Sequence, residues 1–390
     1  MGQARGARYH VAISGQALGL RIGLIYLFSL TRGMTMKARS RIFLLTLLMI
    51  VCLWPNQKLT ASTSRAEVQL SAPVRISDDN GFDEDPSVML ARDGRFYVAW
   101  SSNRQSGVNI YIKSSADGQN WSTEERVTSG PGEDYYPALA QTRDGTFHIA
   151  WHRLERAQGD IDIWYSRSQD ARTWSIPVQI TTSPKVEWAP SILADSRDTL
   201  RIVWSSGKTG NRELFVSRSD DGGRQWSCER QITQSDEEDD FPQMIETSKG
   251  EWILAWTRYR KGSPLLDYFK DTSAEIVIAR SRDSLNWSVP EVSSPPDENV
   301  RYMDLLPFVF EDAASGQLYL SWTSSRSNLW GDILLRNLAS EASAYCLLTT
   351  EQTSDYDAKI APTKTPGQYL MVWVSDRDGK REIYSRTFHL

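Results

Sequence analysis

From about residue 80 to the end, short apolar runs alternate with polar turns, and one run recurs. It ends in tryptophan six times: FYVAW at Trp100, FHIAW at Trp151, LRIVW at Trp204, WILAW at Trp256, LYLSW at Trp322 and YLMVW at Trp373. The intervals are 51, 53, 52, 66 and 51 residues. A proline stands upstream each time: Pro86, Pro137, Pro190 and Pro242 lie 14 residues before their Trp, Pro307 and Pro362 at 15 and 11. Period-two alternation rich in β-branched and aromatic residues predicts strands. Each unit reads as four of them: one after the Pro, one ending at the Trp, a third such as NIYIKSS or DIWYSRS, and a fourth such as ERVTS or VQITT. A repeat near fifty residues carrying four short strands is the pattern of a propeller blade. The expectation is an all-β fold, a six-bladed β-propeller of four-stranded antiparallel blades.

The ring needs closing. The last unit stops after its third strand, Glu382 to Phe388, while Val74 to Ser77 resembles the fourth strands of the other units. An N-terminal strand completing the last blade would leave no open edge. The propeller then spans 73–390, with 62–72 as linker.

Residues 1–61 read as a leader. Met36 to Arg41 is basic, and Ile42 to Trp54 is an apolar stretch of signal-peptide length, short for a spanning helix. Ala61 offers a cleavage point with Leu59 poorly placed before it, so signal peptide and uncleaved anchor both stay open. Translation from Met34 or Met36 fits this pattern better than from Met1. Secretion, the periplasm or the cell envelope is the expected location, with membrane contact only through this segment.

A net charge of −5 excludes the basic face that nucleic acid requires. Of three cysteines, Cys228 and Cys346 fall in different, non-neighbouring blades, which predicts no disulfide. His148 and His152 have no evident third ligand and read as strand residues. No metal is expected. The acidic run Asp236 to Asp240 reads as a solvated loop, with Ca²⁺ the alternative.

The turn after the third strand of blade 3 reads Ser219-Asp-Asp221-Gly-Gly223-Arg-Gln-Trp226. Shorter forms begin at Ser115, Ser168 and Ser281, with Asp117, Asp170 and Asp283 in the matching place. These turns resemble the Asp box, or BNR repeat, and the chain resembles the sialidase-like propeller superfamily over about its last 320 residues. The resemblance implies that the four Asp residues are structural and that any active site lies on the opposite face. It also implies an arginine trio, a Tyr nucleophile backed by Glu, and an Asp acid/base. Tyr356 stands broadly where such a Tyr belongs. The early Arg-Ile-Pro of the family is replaced by Glu84-Asp85-Pro86, which removes one carboxylate-binding arginine.

The opposite face gathers the aromatics Tyr135, Tyr136, Trp188, Phe241, Tyr259, Tyr268, Tyr302, Trp330 and Tyr356, suited to stacking on sugar rings or to filling gaps between blades. Three residues before each Pro stand Asp83, Asp134, Glu187, Asp239, Asp304 and, in the sixth unit, Lys359. A cation follows each Trp: Arg104, Arg153, Lys208, Arg258, Arg326 and Arg377. Such repetition predicts salt bridges between blades. The expected site comprises Tyr356 and Asp304 as catalytic residues. Its expected ligand-binding residues are Arg258, Arg260, Arg301, Tyr302, Arg326, Lys359, Tyr135 and Trp188. It would serve an exported glycan-binding protein or a glycoside hydrolase without cofactor. The alternatives are an exo-α-sialidase and a non-enzymatic envelope scaffold.

Overall fold

Each of the six repeat tryptophans is at most 1% exposed, and the blades are organised around them. The computed structural model describes residues 68–77, 81–105, 107–155, 159–260, 273–295, 302–327, 331–341 and 344–390, all within a unit spanning Thr63–Leu390. The leader, Arg301, Tyr268 and Trp330 lie outside the described residues. Six four-stranded antiparallel sheets form the blades, five with their strands in simple chain order. The first strands of the blades are Asp83–Leu90, Glu133–Gln141, Glu187–Ala194, Glu238–Glu246, Asp304–Glu311 and Asp355–Pro362. Each touches the first strands of both neighbouring blades, so together they ring a central hub. Among the described residues, no helix is long and apolar enough to cross a membrane.

Hydrophobic burial is distributed around this ring. Six clusters are found, each shared by two adjacent blades; Val98 and Trp100 of blade 1, for example, pack with Leu370 and Val372 of blade 6. No blade buries its apolar faces alone, so the ring has to close for any seam to be complete. The outermost strands are only two residues long, which limits the edge offered to other chains.

Closure follows the expected pairing. Val74 stands opposite Ser385 and Arg75 opposite Tyr384. Ser77 Oγ donates to Glu382 Oε2 at 2.7 Å, and the Arg75 guanidinium reaches Oε1 of the same carboxylate at 2.5 Å. The clasp begins further upstream than the sequence indicated. Leu70 bridges to Phe388, the Ser71 amide donates to the Thr387 carbonyl at 2.9 Å, and Val68 and Leu70 pack on the blade 5–6 core.

The Ser-x-Asp turns are locked as their composition demands. In blade 1 the Asp117 carboxylate accepts the amides of Gln119 at 2.9 Å and Asn120 at 2.8 Å, while Ser115 Oγ donates to it at 2.9 Å. Asp170, Asp221 and Asp283 repeat the arrangement. These amides hold the Asp170 carboxylate down at about 2. The left-handed residue of the turn is Gly118 in blade 1, but Ala171 (φ 57°) and Ser284 (φ 59°) fill it in blades 2 and 4. Hydrogen bonding thus holds the turn even without glycine's freedom. Cys228 and Cys346 are unbridged.

The clasp yields a first prediction. Removing residues 1–67 should leave the thermal midpoint unchanged, whereas removing 1–78 should lower it markedly and broaden the transition. Equal midpoints for the two truncations would show that the N-terminal strand does not close the ring.

Candidate functional site

Where the first strand of a blade enters, it buries an acid beside the Trp of the second strand. Asp83, Asp134, Asp304 and Asp355 each accept the indole N–H of their own blade, at 2.8 to 3.0 Å. The cation after the Trp then closes on the same carboxylate. Arg153 grips Asp134 through Nε at 2.6 Å and Nη2 at 2.9 Å, and Arg258 grips Asp239 at 2.7 and 2.9 Å. Arg104, Lys208, Arg326 and Arg377 do the same for Asp83, Glu187, Asp304 and Asp355. These pairs lie within blades, correcting the expectation of bridges between blades. First and second strands run antiparallel, and register sets acid opposite cation: Asp134 faces Arg153 and Asp239 faces Arg258.

Several expected site residues are consumed by this arrangement. Asp304, expected to be catalytic, is fully buried and accepts from Trp322, Ser324 and Arg326. Arg326 also lies over the Tyr302 ring, 4.5 Å from its centroid. Arg258 is held by Asp239, and Arg260 pairs with Glu275 at the exposed rim. Lys359 is not the sixth member of the acid series. That member is Asp355, and Ala358 occupies the place that Pro86 holds in blade 1. At the entry to blade 5 the Tyr302 carbonyl accepts the Ala274 amide of blade 4 at 3.3 Å.

Two residues beyond each acid the first strand bulges, and there a residue other than glycine takes a left-handed conformation. Asp85, Tyr136, Ala189, Phe241, Leu306 and Asp357 have φ between 49° and 56°. Strain of this kind costs about 1–3 kcal/mol per residue and persists only where surrounding structure enforces it. At four of them the enforcement is visible, because the bulge amide donates to a side chain of the preceding blade, while the Phe241 amide donates to Asp240 of its own strand. Tyr136 reaches Ser101, Ala189 reaches His152, Leu306 reaches Thr257 and Asp357 reaches Thr323. The acid–Trp pair fixes one end of the segment and this cross-blade bond fixes the bulge.

The bulges carry a mixed constellation into the hub. Tyr136 of blade 2 and Phe241 of blade 4 meet with centroids 5.8 Å apart, although blade 3 separates them in the ring. Trp188 lies 5.9 Å from Phe241, and Tyr135 and Tyr136 both stack on His152 at 5.5 Å. Blades 1 and 6 supply the acids. Tyr356 Oη donates to Glu84 Oε1 at 3.0 Å, and Arg381 pairs with the same carboxylate. Lys359 pairs with Asp357, while Arg212 pairs with Asp240 and Glu238. The acidic run is not the expected solvated loop: Glu238–Asp240 begin a strand, Asp239 and Asp240 are buried, and Arg212 and Arg258 take up its last three acids; among the described residues no group of acids, His or Cys is arranged to hold a metal. A polar groove of about 770 Å³ opens beside Arg381, lined also by Phe82, Asn103, Arg104, Asp376 and Lys380.

Burial sets the protonation states. Burial first, then the charges of Glu84 and Asp357, pushes the Asp85 carboxyl well above the usual carboxylate range. Asp240 is pushed up to about 6 by burial, with Arg212 opposing. Burial and the Glu84 charge raise Tyr356, so its phenol keeps its proton. Burial lowers His152 to about 3, leaving a neutral ring that accepts the Ala189 amide. The hub thus offers a carboxyl whose protonated form is favoured by burial, a phenol hydrogen-bonded to a carboxylate, and a bank of aromatic faces. Glu84, Asp85, Asp240, Asp357, Arg212 and Arg381 were not among the expected site residues. Counting back from each Trp, rather than from each Pro, would have found the acids of this set, because each blade's buried acid lies 17 or 18 residues before its Trp and Glu84, Asp85, Asp240 and Asp357 follow such an acid by one or two.

No family model matches the chain, and no curated protein matches it in sequence. Solved structures match in fold. A Dyadobacter fermentans protein of unknown function is 15% identical, with a TM-score of 0.67 over 83% of this chain and 99% of its own. An α-L-arabinofuranosidase of Fusarium graminearum, solved with arabinobiose, is 15% identical, with a TM-score of 0.63 over 82% and 98%. A Trypanosoma rangeli sialidase in complex with the inhibitor DANA is 9% identical, with a TM-score of 0.56 over 82% and 59%. The fold is therefore a six-bladed β-propeller of the kind seen in sialidases and arabinofuranosidases.

Two predictions follow from this geometry. Asp134→Ala strands Arg153 in a buried site and should cost about 3–5 kcal/mol in a denaturant titration; a loss under about 1 kcal/mol, the usual worth of an exposed pair, would refute the buried pair. Asp85 works in the opposite sense. Its folded pKa is raised, so its contribution is fully present below the unfolded value near 4 and is lost as pH rises through the folded value. Asp85→Asn should accordingly raise the thermal midpoint at pH 8 and leave it little changed at pH 4. A lower midpoint at pH 8 would mean that the carboxylate is needed ionised.

Proposed function

We propose that this protein is a carbohydrate-directed propeller of glycoside-hydrolase type that works at the hub face. The observation that carries this reading is the Tyr356–Glu84 hydrogen bond beside the buried Asp85 carboxyl. A phenol with its proton on call to a carboxylate is a latent nucleophile, and a carboxyl kept protonated is a general acid. In this scheme Tyr356 Oη attacks the anomeric carbon as its proton passes to Glu84. Asp85 protonates the departing glycosidic oxygen, and water then releases the sugar from Tyr356. Arg381 positions Glu84, and Tyr136, Phe241 and Trp188 supply faces for sugar rings. Glycosidases and sialidases built on this fold lend support. The four Ser-x-Asp turns, read as Asp boxes, belong to the structural side of such propellers.

Sialidase specificity is the weaker reading, because Arg104, Arg258, Arg326 and Arg377 are each committed to a buried acid of their own blade. The leader is consistent with export to the periplasm, cell envelope or exterior, where glycans are met.

The test is turnover of a panel of aryl glycosides by the full chain. Tyr356→Phe and Glu84→Gln should each lose about 10²–10⁴-fold, the range for removing a proton-transfer partner, with unchanged thermal midpoints. A Tyr356→Phe protein as active as the parent would remove Tyr356 from the chemistry.

A further inference from the structure

The groove beside Arg381 lies at the seam where the ring closes. Blade 1 gives it Phe82, Asn103 and Arg104, and blade 6 gives it Asp376, Lys380 and Arg381. The Asp83 amide donates to the Arg381 carbonyl at 2.9 Å, which fixes one wall against the other. The groove adjoins the reacting pair, because Arg381 both lines it and holds Glu84, the acceptor of Tyr356 Oη. At about 770 Å³ it falls within the range of about 300–1,000 Å³ that ligand sites occupy. Phe82 is half-buried yet belongs to none of the six apolar clusters found among the described residues. A ring left at a polar groove in this way gains by stacking on an apolar face. Asn103 is exposed and held in one orientation. Its backbone amide donates to the Phe82 carbonyl at 3.4 Å, and its Oδ1 accepts the Phe82 amide at 2.8 Å. The Phe82 N–H needs an acceptor, so the side-chain oxygen is fixed there and the Nδ2 donors point away from it. Among the described residues those donors have no partner. Gly81 makes this approach possible, since a Cβ there would stand 2.5 Å from Asn103 Oδ1.

We infer that this groove is the subsite for a second residue of a sugar chain, next to the residue that reacts at Tyr356. Phe82 stacks on the ring of that second residue, and Asn103 Nδ2 donates to one of its hydroxyls. The inference rests on the carbohydrate reading above and narrows the substrate class to an oligosaccharide. A sugar ring matches both features, with a C–H face for Phe82 and hydroxyl oxygens for the amide donors. The lining carries charges of both signs, and Arg104 and Arg381 are already committed to Asp83 and Glu84. A neutral, hydroxyl-rich ring therefore suits the groove better than an anion.

The experiment is isothermal titration of the full chain carrying Tyr356→Phe, so that bound sugar is not consumed. The probes are arabino-, xylo-, galacto- and gluco-oligosaccharides, each series running from the single sugar to the tetrasaccharide. In at least one series the disaccharide or trisaccharide should bind about ten-fold or more tightly than the single sugar, the scale of a buried stacking contact. Adding Phe82→Ala should bring that ratio close to one. Asn103→Asp keeps the acceptor for the Phe82 amide while removing the donors, and should lower the ratio about three-fold. Thermal midpoints are measured alongside, and the near-isosteric Asn103→Asp carries the test should Phe82→Ala fold poorly. Affinity that does not grow with chain length, or growth that survives both substitutions, overturns the subsite and leaves the carbohydrate reading standing. Failure of every sugar to bind, at every length, overturns both.

Discussion

A carboxylate buried at the mouth of each blade, held by a cation and in four blades by an indole N–H as well, is the constraint from which the hub face follows. Removing an acid from water is costly unless donors replace the water. The repeat meets that cost inside each blade, by antiparallel register, before any contact between blades is made. With the acid pinned, the next two residues have little choice of path. The strand bulges, the residue at the bulge is driven to positive φ, and the neighbouring blade captures its amide through Ser101, His152, Thr257 or Thr323. Buried acid and captured amide thereby position the hub side chains of Tyr136, Ala189, Leu306 and Asp357.

The same frame leaves the hub side chains free to vary. Asp85, Tyr136, Ala189, Phe241, Leu306 and Asp357 share a backbone conformation and almost nothing in chemistry. Aromatics from blades 2 and 4 face acids from blades 1 and 6, and Trp188 and Asp240 extend each group. This separation of a repeated support from an unrepeated surface is how a propeller carries a single site on six-fold architecture. It also places the strained backbone and the least comfortable charges together, as expected where stability is given up for function.

Architecture was legible because it is written in local repetition. The Trp runs, the turns of Ser115, Ser168, Ser219 and Ser281, and the stray strand at Val74 each announce a blade or its closure. The candidate site was harder to read, for two physical reasons. Acid and cation recur in every blade, so sequence alone suggested bridges between blades, while register puts them within one. Asp304, Arg258 and Arg326 were drawn into the expected site for that reason. The bulge is the second obstacle. Residues such as Phe241 and Leu306 have no local preference for positive φ, so nothing in their identity marks the turn toward the hub. Counting from Pro362 also put Lys359 where Asp355 belongs. Tyr356 and Glu84 lie 272 residues apart and meet only because the ring closes.

The most direct measurement is a crystal structure of the full chain soaked with whichever oligosaccharide binds it most tightly in solution. The account predicts a sugar ring lying over Tyr136 and Phe241, with its anomeric carbon beside Tyr356 Oη and its glycosidic oxygen at Asp85. Sugar density confined to the outer strands or to the face of the Ser-x-Asp turns, with an empty hub, would contradict it.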